Sequence, residues 1–306
     1  MKNKLRIAVV SSDPSMAAGL EIRLQSKGYQ VLTMTKPSSV LGLVYSDPPD
    51  LIIIDLTQPG DTATSIIRNL KGDSYFSTIP ILGLVRGDEA DSFQWEESLL
   101  DDFVFVPVKY NELFSRIVLS IKRIQRVLDN NPLTRLPGNT SIQRAIESAL
   151  GKPMAVCYID INHFKPYNDV YGFSHGDEVL RMLGRLMNNA VKESGGGFSG
   201  HIGGDDFVFI VPFSRCEAVC KTIISNFNAI AAELFEEREK SNGYYVSTNR
   251  QGKEEKFPLL SIAIAVVPTE PAKFDHYGKV AEIAAELKKY AKKSSESCYV
   301  VDKRKS

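Results

Sequence analysis

No sign of charge dominates this chain. Lys plus Arg and Asp plus Glu number 37 each in 306 residues, so there is no electrostatic footprint for nucleic acid or an anionic membrane. No apolar run approaches the roughly 18 residues that a membrane helix needs. The basic start, residues 1–6, leads only into a short apolar run at 7–10, too little for a signal peptide. Cysteine is scarce, with four residues and no Cys-x-x-Cys. Cys216 and Cys220, four apart on a predicted helix, read as small buried hydrophobes rather than metal ligands. The four histidines are scattered and suggest no zinc site. Together these absences point to a soluble protein of a reducing cytoplasm, with no nucleic-acid or membrane partner.

What is present is enough chain for two domains. In the first half, residues 5–10, 30–34, 51–54, 80–84 and 103–106 are short apolar runs. Between them lie segments with helical spacing, such as Met16, Leu20 and Leu24. Five alternations of strand and helix predict an α/β domain, a doubly wound parallel sheet with helices on both faces. Sites in such sheets lie at the carboxyl ends of the strands. Asp55 ends the third run there, and Asp13 follows the first. This pattern resembles the response-regulator receiver family over nearly all of the first 125 residues, with Asp55 at the family's phospho-acceptor aspartate. Around Asp55 the sequence departs from the family. The acidic pair that would hold Mg²⁺ falls on Ser11 and Ser12, the switch Ser or Thr on Val85, and the lysine before proline on Val106. Phosphoryl transfer needs charge neutralised at the equatorial oxygens. Residues 1–128 are therefore expected to be a degenerate, receiver-like (βα)5 domain. Asp55 is either a remnant of the fold capping a strand end or a phospho-acceptor for a histidine kinase or other signalling protein.

Residues 109–128 read as one long helix, along which Leu113, Ile117, Ile121, Ile124 and Leu128 step by four, four, three and four. The stripe is heptad-like. Its inner part suits the last helix of the first domain, and its outer part suits either core or a dimer stalk. Asp129-Asn130-Asn131-Pro132 stops the helix. The domain boundary is placed there, with residues 129–306 forming the second domain.

The second half gives a helix near 139–150, a strand at 154–159, helices near 163–171 and 177–192, and a hairpin at 198–211. A helix near 214–239, strands near 243–248 and 257–267, a helix near 278–293 and a strand near 298–301 follow. The class is α+β with an antiparallel component. Asn249-Arg250-Gln251-Gly252 reads as a turn. The stretch around which the rest is organised is His201-Ile202-Gly203-Gly204-Asp205-Asp206-Phe207. Two apolar runs meet at the glycine pair, the pattern of a tight hairpin, because glycine accepts the positive φ such a turn needs. Alone, it reads more readily as an ordinary turn with two solvated acids. Asp160 closes the preceding strand. The helix that begins at Phe164 and Lys165 presents unpaired N–H groups that favour phosphate. If that strand runs beside the hairpin, Asp160, Asp205 and Asp206 together can hold Mg²⁺, which takes oxygen ligands. Asp177 could accept from the N1–H and N2–H₂ donors of guanine, and the amide of Asn168 could complement the neighbouring edge. The plainer alternatives are a helix-start acid at Asp177 and a solvated lysine at Lys165.

Several motifs in order carry a second resemblance. These are Asp160-Ile161-Asn162-His163-Phe164-Lys165-Pro166-Tyr167-Asn168-Asp169, Gly172 to Gly176-Asp177, Gly203-Gly204-Asp205-Asp206-Phe207, the opening Asn131-Pro132-Leu133-Thr134, and Leu260-Ser261-Ile262-Ala263-Ile264. Over residues 131 to about 302 the chain resembles the GGDEF domain of diguanylate cyclases, a nucleotidyl-cyclase-like α+β fold. The resemblance implies condensation of two GTP into cyclic di-GMP across a homodimer, with Mg²⁺ or Mn²⁺. By it Asp160, Ile161, Asp205 and Asp206 hold the metal, and Asp205 and Asp206 are catalytic. Phe164, Lys165, Asn168, Asp177, Gly203, Gly204 and Lys293 bind GTP. Three departures stand against a full match. Asp206 replaces the usual glutamate, shortening its reach by about 1.5 Å. The family's inhibitory product site falls on Ser194-Gly195-Gly196-Gly197, which implies its absence. Ser297 stands where an arginine is usual. The alternative is a non-catalytic module of the same fold that binds GTP or a partner protein.

Overall fold

A computed structural model describes residues 4–35, 40–74, 76–248, 254–270, 274 and 276–304. The expected turn Asn249-Arg250-Gln251-Gly252 and the first three residues of the basic start lie outside the described residues. The chain divides into two compact units, 1–128 and 129–306.

In the first unit β1 (Arg6–Val10), β2 (Gln30–Met34), β3 (Leu51–Asp55), β4 (Ile81–Arg86) and β5 (Asp102–Val106) form a parallel sheet in the order β2-β1-β3-β4-β5. The period-2 alternation of a strand decides which face each residue serves. Ile7, Val9, Leu51 and Ile53 join one core. Ala8, Val10, Ile52 and Ile54 join the other. Helices α1 (Pro14–Ser26), α2 (Val40–Ser46) and α3 (Thr62–Gly72) connect the first four strands. The fourth connection, between β4 and β5, is not helical as expected. Residues 87–101 carry no apolar stripe at helical spacing. They make two 3-10 turns, Gly87–Glu89 and Trp95–Glu97, while Trp95 packs 4.2 Å from the Phe103 ring. The last helix, α4 (Tyr110–Asp129), buries Leu113, Ile117 and Ile121 against the sheet. Its outer turn leaves Val127 and Leu128 exposed.

The second unit centres on β6 (Met154–Asn162), longer than expected by three residues. It runs antiparallel between β11 (Ser261–Pro268) and β8 (Asp206–Pro212). The edges are β12 (Cys298–Val301) and β7 (Phe198–Gly203), giving the order β12-β11-β6-β8-β7. One face packs on α7 (Phe173–Glu193) and α8 (Phe213–Ala231) through Cys157, Ile159, Ile161, Phe207 and Phe209. The other packs on α5 (Asn139–Ala149) and α10 (Tyr277–Ala291) through Val156, Tyr158, Val208 and Ile210. Each of these large apolar side chains contributes about 1.5–3 kcal/mol by leaving water. The short α6 (Phe164–Tyr171) follows β6.

Two expected boundaries shift. The helix foreseen over 214–239 ends at Ala231 and restarts as α9 (Glu237–Asn242). The Glu239 carboxylate accepts from the Glu236 N–H, starting a new helix, and Phe235 turns in to meet Tyr167 and Tyr245. The strand foreseen over 257–267 splits after Pro258 into β10 (Glu254–Pro258), which among the described residues pairs with β9 (Tyr244–Thr248) alone, and β11.

Candidate active site

Asp160 stands on β6 in step with Val156 and Tyr158, on the face covered by α10. The β6–β8 register pairs Ile159 with Phe207. The next step along the strands therefore sets Asp160 beside Asp206, the first residue of β8. Gly204 and Asp205 make the turn between β7 and β8, with φ of 147° at Gly203 and 58° at Gly204. A side chain at either position would be strained, so the glycine pair is what lets the turn close. Asp160 is buried, and Asp205 and Asp206 are half-buried. Burial, then the charge of Asp160, and then that of Asp206 push the Asp205 carboxyl above the usual range. The three acids thus form one electrostatic cluster.

Helix α10 answers this charge. The Lys288 ammonium donates to Asp206 Oδ1 and, at 3.2 Å, to Asp160 Oδ2. Lys292 places Nζ 2.6 Å from Asp160 Oδ1. Burial works against the Lys288 ammonium, but the hydrogen bond to Asp206 and the charge of Asp160 outweigh it and hold its pKa above the ordinary value. Lys293 sits elsewhere, its Nζ 5.8 Å from the Tyr290 ring centroid. Residues 288 and 292 share a helix face, and 293 falls about 100° further round. Lys288 is the residue sequence reasoning does not reach. Its signal is a lysine set within the apolar stripe Val280, Ile283, Ala284, Leu287 and Ala291.

Does this set suit a divalent ion? Asp160 Oδ1 is buried and paired with the Lys292 ammonium. Asp160 and Asp206, which converge on one ammonium, are a pair of oxygen donors for a hard, oxygen-seeking cation, with Asp205 next along the turn. They fit Mg²⁺ or Mn²⁺, with the Lys288 ammonium competing for the space between Asp160 and Asp206.

Four of the residues that the resemblance assigns to nucleotide, Phe164, Lys165, Asn168 and Asp177, follow β6. His163 takes a left-handed conformation, φ 59°, and turns the chain from β6 into α6. Phe164 is then buried and Lys165 exposed. Asn168 packs on Gly176, where a Cβ would lie 1.8 Å from Asn168 Oδ1. That oxygen has no hydrogen-bond partner. Asp177 lies inside the first turns of α7 rather than opening it, 3.8 Å from Arg181. Gly176→Ala is expected to push the Asn168 amide aside. Stability should fall by about 1–3 kcal/mol, and GTP affinity by about tenfold if Asn168 reads the base. Thermal unfolding and nucleotide titration check the two effects separately.

His201, quoted in the motif but given no role, holds the turn. It is buried and stacked on Phe207 at 4.1 Å. Nε2 lies 2.9 Å from the Gly204 carbonyl, which can only accept, so Nε2 carries the proton. Nδ1 then accepts from Thr134 Oγ1 at 3.0 Å. Asn131 Oδ1 in turn accepts from the N–H groups of Leu133 and Thr134, which ties the opening motif to the glycine turn. Burial lowers the His201 pKa below its ordinary 6.5, against the opposing pull of Gly204 and Asp206. As pH falls through that ordinary value, the unfolded chain takes a proton the folded chain refuses. Stability is therefore highest above it and declines below it. Denaturant unfolding between about pH 7.5 and 5.5 should show this slope, and His201→Phe should reduce it. His163, lowered by burial and then by Lys292, supplies a remainder.

In the first unit Asp55 is buried at the end of β3 with both oxygens engaged. Ser11 Oγ donates to Oδ2 at 2.6 Å, and the Thr57 N–H and hydroxyl donate to Oδ1 at 2.9 and 2.7 Å. Asp13 is spent elsewhere, capping α1 through the N–H groups of Ser15 and Met16. Val85 is buried where a switch hydroxyl is usual. With hydroxyls in place of acids there is little to neutralise a phosphoryl group. Incubation with acetyl phosphate is expected to leave the intact mass unchanged, and a phosphoryl adduct on Asp55 would contradict this.

The first unit matches receiver domains of response regulators. The DNA-binding response regulator MtrA of Mycolicibacterium smegmatis is 35% identical over 119 residues, covering 39% of this chain and 51% of that protein. The transcriptional regulatory protein KdpE of Mycobacterium tuberculosis is 29% identical over 118 residues, covering 38% and 51%. The chain spans about half the length of these curated relatives. Among solved structures, the GGDEF domain of DgcB from Caulobacter crescentus, in complex with c-di-GMP, is 19% identical. It covers 56% of this chain and 95% of its own, with a TM-score of 0.40. No helix among the described residues is long and apolar enough to cross a membrane. The family described as diguanylate cyclase, GGDEF domain, matches residues 131–295, more than half of the chain, and the protein belongs to that family.

Proposed function

We propose that the protein is a diguanylate cyclase that condenses two GTP into cyclic di-GMP across a homodimer, under the influence of its receiver-like domain. The observation that carries this reading is the meeting of Asp160 from a strand end with Asp206 beside the glycine turn, close enough to share one ammonium. Asp160, the Ile161 carbonyl, Asp205 and Asp206 would hold Mg²⁺ or Mn²⁺, which when bound neutralises triphosphate charge and makes the 3′-hydroxyl easier to deprotonate. The N–H groups at Phe164 and Lys165, with the lysine's charge, cradle phosphate, and Gly203 and Gly204 let the backbone approach it. Asn168 and Asp177 orient guanine. Asp205, whose carboxyl is pushed up by burial and by Asp160, is the proton acceptor in this reading. Each 3′-oxygen forms a bond to the α-phosphorus of the nucleotide on the other protomer. The bond to pyrophosphate breaks, and the hydroxyl proton passes to the carboxylate. Incubation with GTP and Mg²⁺ tests the reading, with products identified by mass spectrometry. Cyclic di-GMP forming with second-order dependence on protomer supports it. Absence of product from a dimeric preparation refutes it.

A second reading is favoured by one observation. Lys288 already supplies positive charge between Asp160 and Asp206, as a module that binds GTP or a partner without turnover would have it. Nucleotide binding without product selects that reading.

A further inference from the structure

Cys157 lies on the face of β6 turned away from Asp160, and Cys216 and Cys220 stand one turn apart on α8. Cys157 Sγ is 3.4 Å from Cys216 Sγ, and Cys216 Sγ is 3.9 Å from Cys220 Sγ. All three sulfurs lie within 4.8 Å of one another, all are buried, and none is bridged. A cation about 2.3 Å from each of three sulfurs at the corners of a triangle spaces them about 4.0 Å apart, so the cluster has the size of such a shell. Among the described residues no histidine or carboxylate joins it as a fourth ligand. Structural zinc takes four ligands, and magnesium and calcium take oxygen. Three thiol sulfurs select a soft ion content with three.

We propose that Cys157, Cys216 and Cys220 form a binding site for a soft monovalent cation with the chemistry of cuprous copper. Charge bookkeeping supports the monovalent ion. The sulfurs sit in an apolar core where uncompensated charge is costly, and one thiolate balances Cu⁺. Cys216 lines the wall of a groove of about 690 Å³ that Ser214, Tyr290 and Tyr299 border, and this gives the ion a route in. Binding is ligand exchange. Three sulfur lone pairs replace the ligands that carried the copper, which leave with the competitor; the oxidation state does not change, and one proton leaves the cluster to buffer, so that one thiolate and two thiols hold Cu⁺. The site requires nothing of the acid cluster, so its test is independent of cyclase activity.

The test uses the full chain, reduced and anaerobic, titrated with cuprous ion in competition with bicinchoninate. One equivalent of copper per chain, with thiolate-to-copper absorption in the near ultraviolet, is the expected result. Cys157→Ala and Cys216→Ser should each weaken retention at least tenfold, whereas Cys298→Ala, outside the cluster, should not. Cys157→Ala enlarges a core cavity. Cys216→Ser keeps its size at the groove wall, and its unfolding without copper controls for folding. Failure to retain copper against the competitor, or retention unchanged in both cluster variants, overturns the proposal. So does one tight equivalent of zinc with no cuprous uptake.

Discussion

Asp205→Asn is expected to lower cyclic di-GMP formation by about a thousandfold or more. Two losses combine in it. The substitution removes a negatively charged side chain proposed as a metal ligand, and it removes the carboxylate whose basicity burial and Asp160 have raised. Loss of general base assistance alone costs about 10²–10⁴-fold, and weaker metal binding adds to that. Asparagine keeps the size of the side chain and the turn depends on Gly203 and Gly204, so the fold should persist. GTP binding should fall far less than turnover, because the contacts proposed for guanine lie at Asn168 and Asp177. Asp206→Glu restores the family's usual residue and should retain or raise activity. A purified Asp205→Asn protein that still makes cyclic di-GMP near the wild-type rate would remove Asp205 from the chemistry.

The parts of this molecule that were legible in sequence are those written in local period. Short all-apolar runs at 7–10 and 51–54 place the first sheet, and the glycine pair places the hairpin turn. The long stripe of α4 shows where packing stops, since Leu113, Ile117 and Ile121 are buried while Leu128 is not. What local period does not encode is which distant residues meet. Residues 87–101 carry neither period, so their 3-10 turns are fixed by the aromatic contact of Trp95 with Phe103. The third sulfur beside Cys216 and Cys220 comes from β6, 59 residues away in sequence from Cys216. Lys288 is separated from Asp160 by 128 residues. Only the β6–β11 and β6–β8 pairings, which fix the face of Asp160, bring α10 over it.

That face assignment makes Lys288→Met the sharper test of how the acid cluster works. Two carboxylates, Asp160 and Asp206, pair with two ammonium groups, Lys288 and Lys292, and Asp205 adds a third negative charge nearby. Removing Lys288 leaves a deeper negative well. Without metal, the variant should lose about 1–3 kcal/mol of stability, the cost of leaving a buried polar partner unmatched. Lys292 remains on Asp160 and limits the loss. With metal the sign reverses. A divalent ion entering the wild-type cluster must displace the ammonium or bind against its charge, and about 4 kcal/mol separates unit charges 4 Å apart at an effective dielectric of 20. The flexible lysine can swing out, so only part of that is felt. The variant should bind Mn²⁺ about ten- to a hundredfold more tightly, which corresponds to about 1.4–2.7 kcal/mol. Its unfolding temperature should rise more steeply with added metal than that of the wild type. If Lys288 instead serves as a phosphate ligand, GTP affinity falls and metal affinity does not change. Unchanged Mn²⁺ affinity by calorimetry would therefore show that the lysine is no competitor for the ion, and the observation favouring the non-catalytic reading would lose its force.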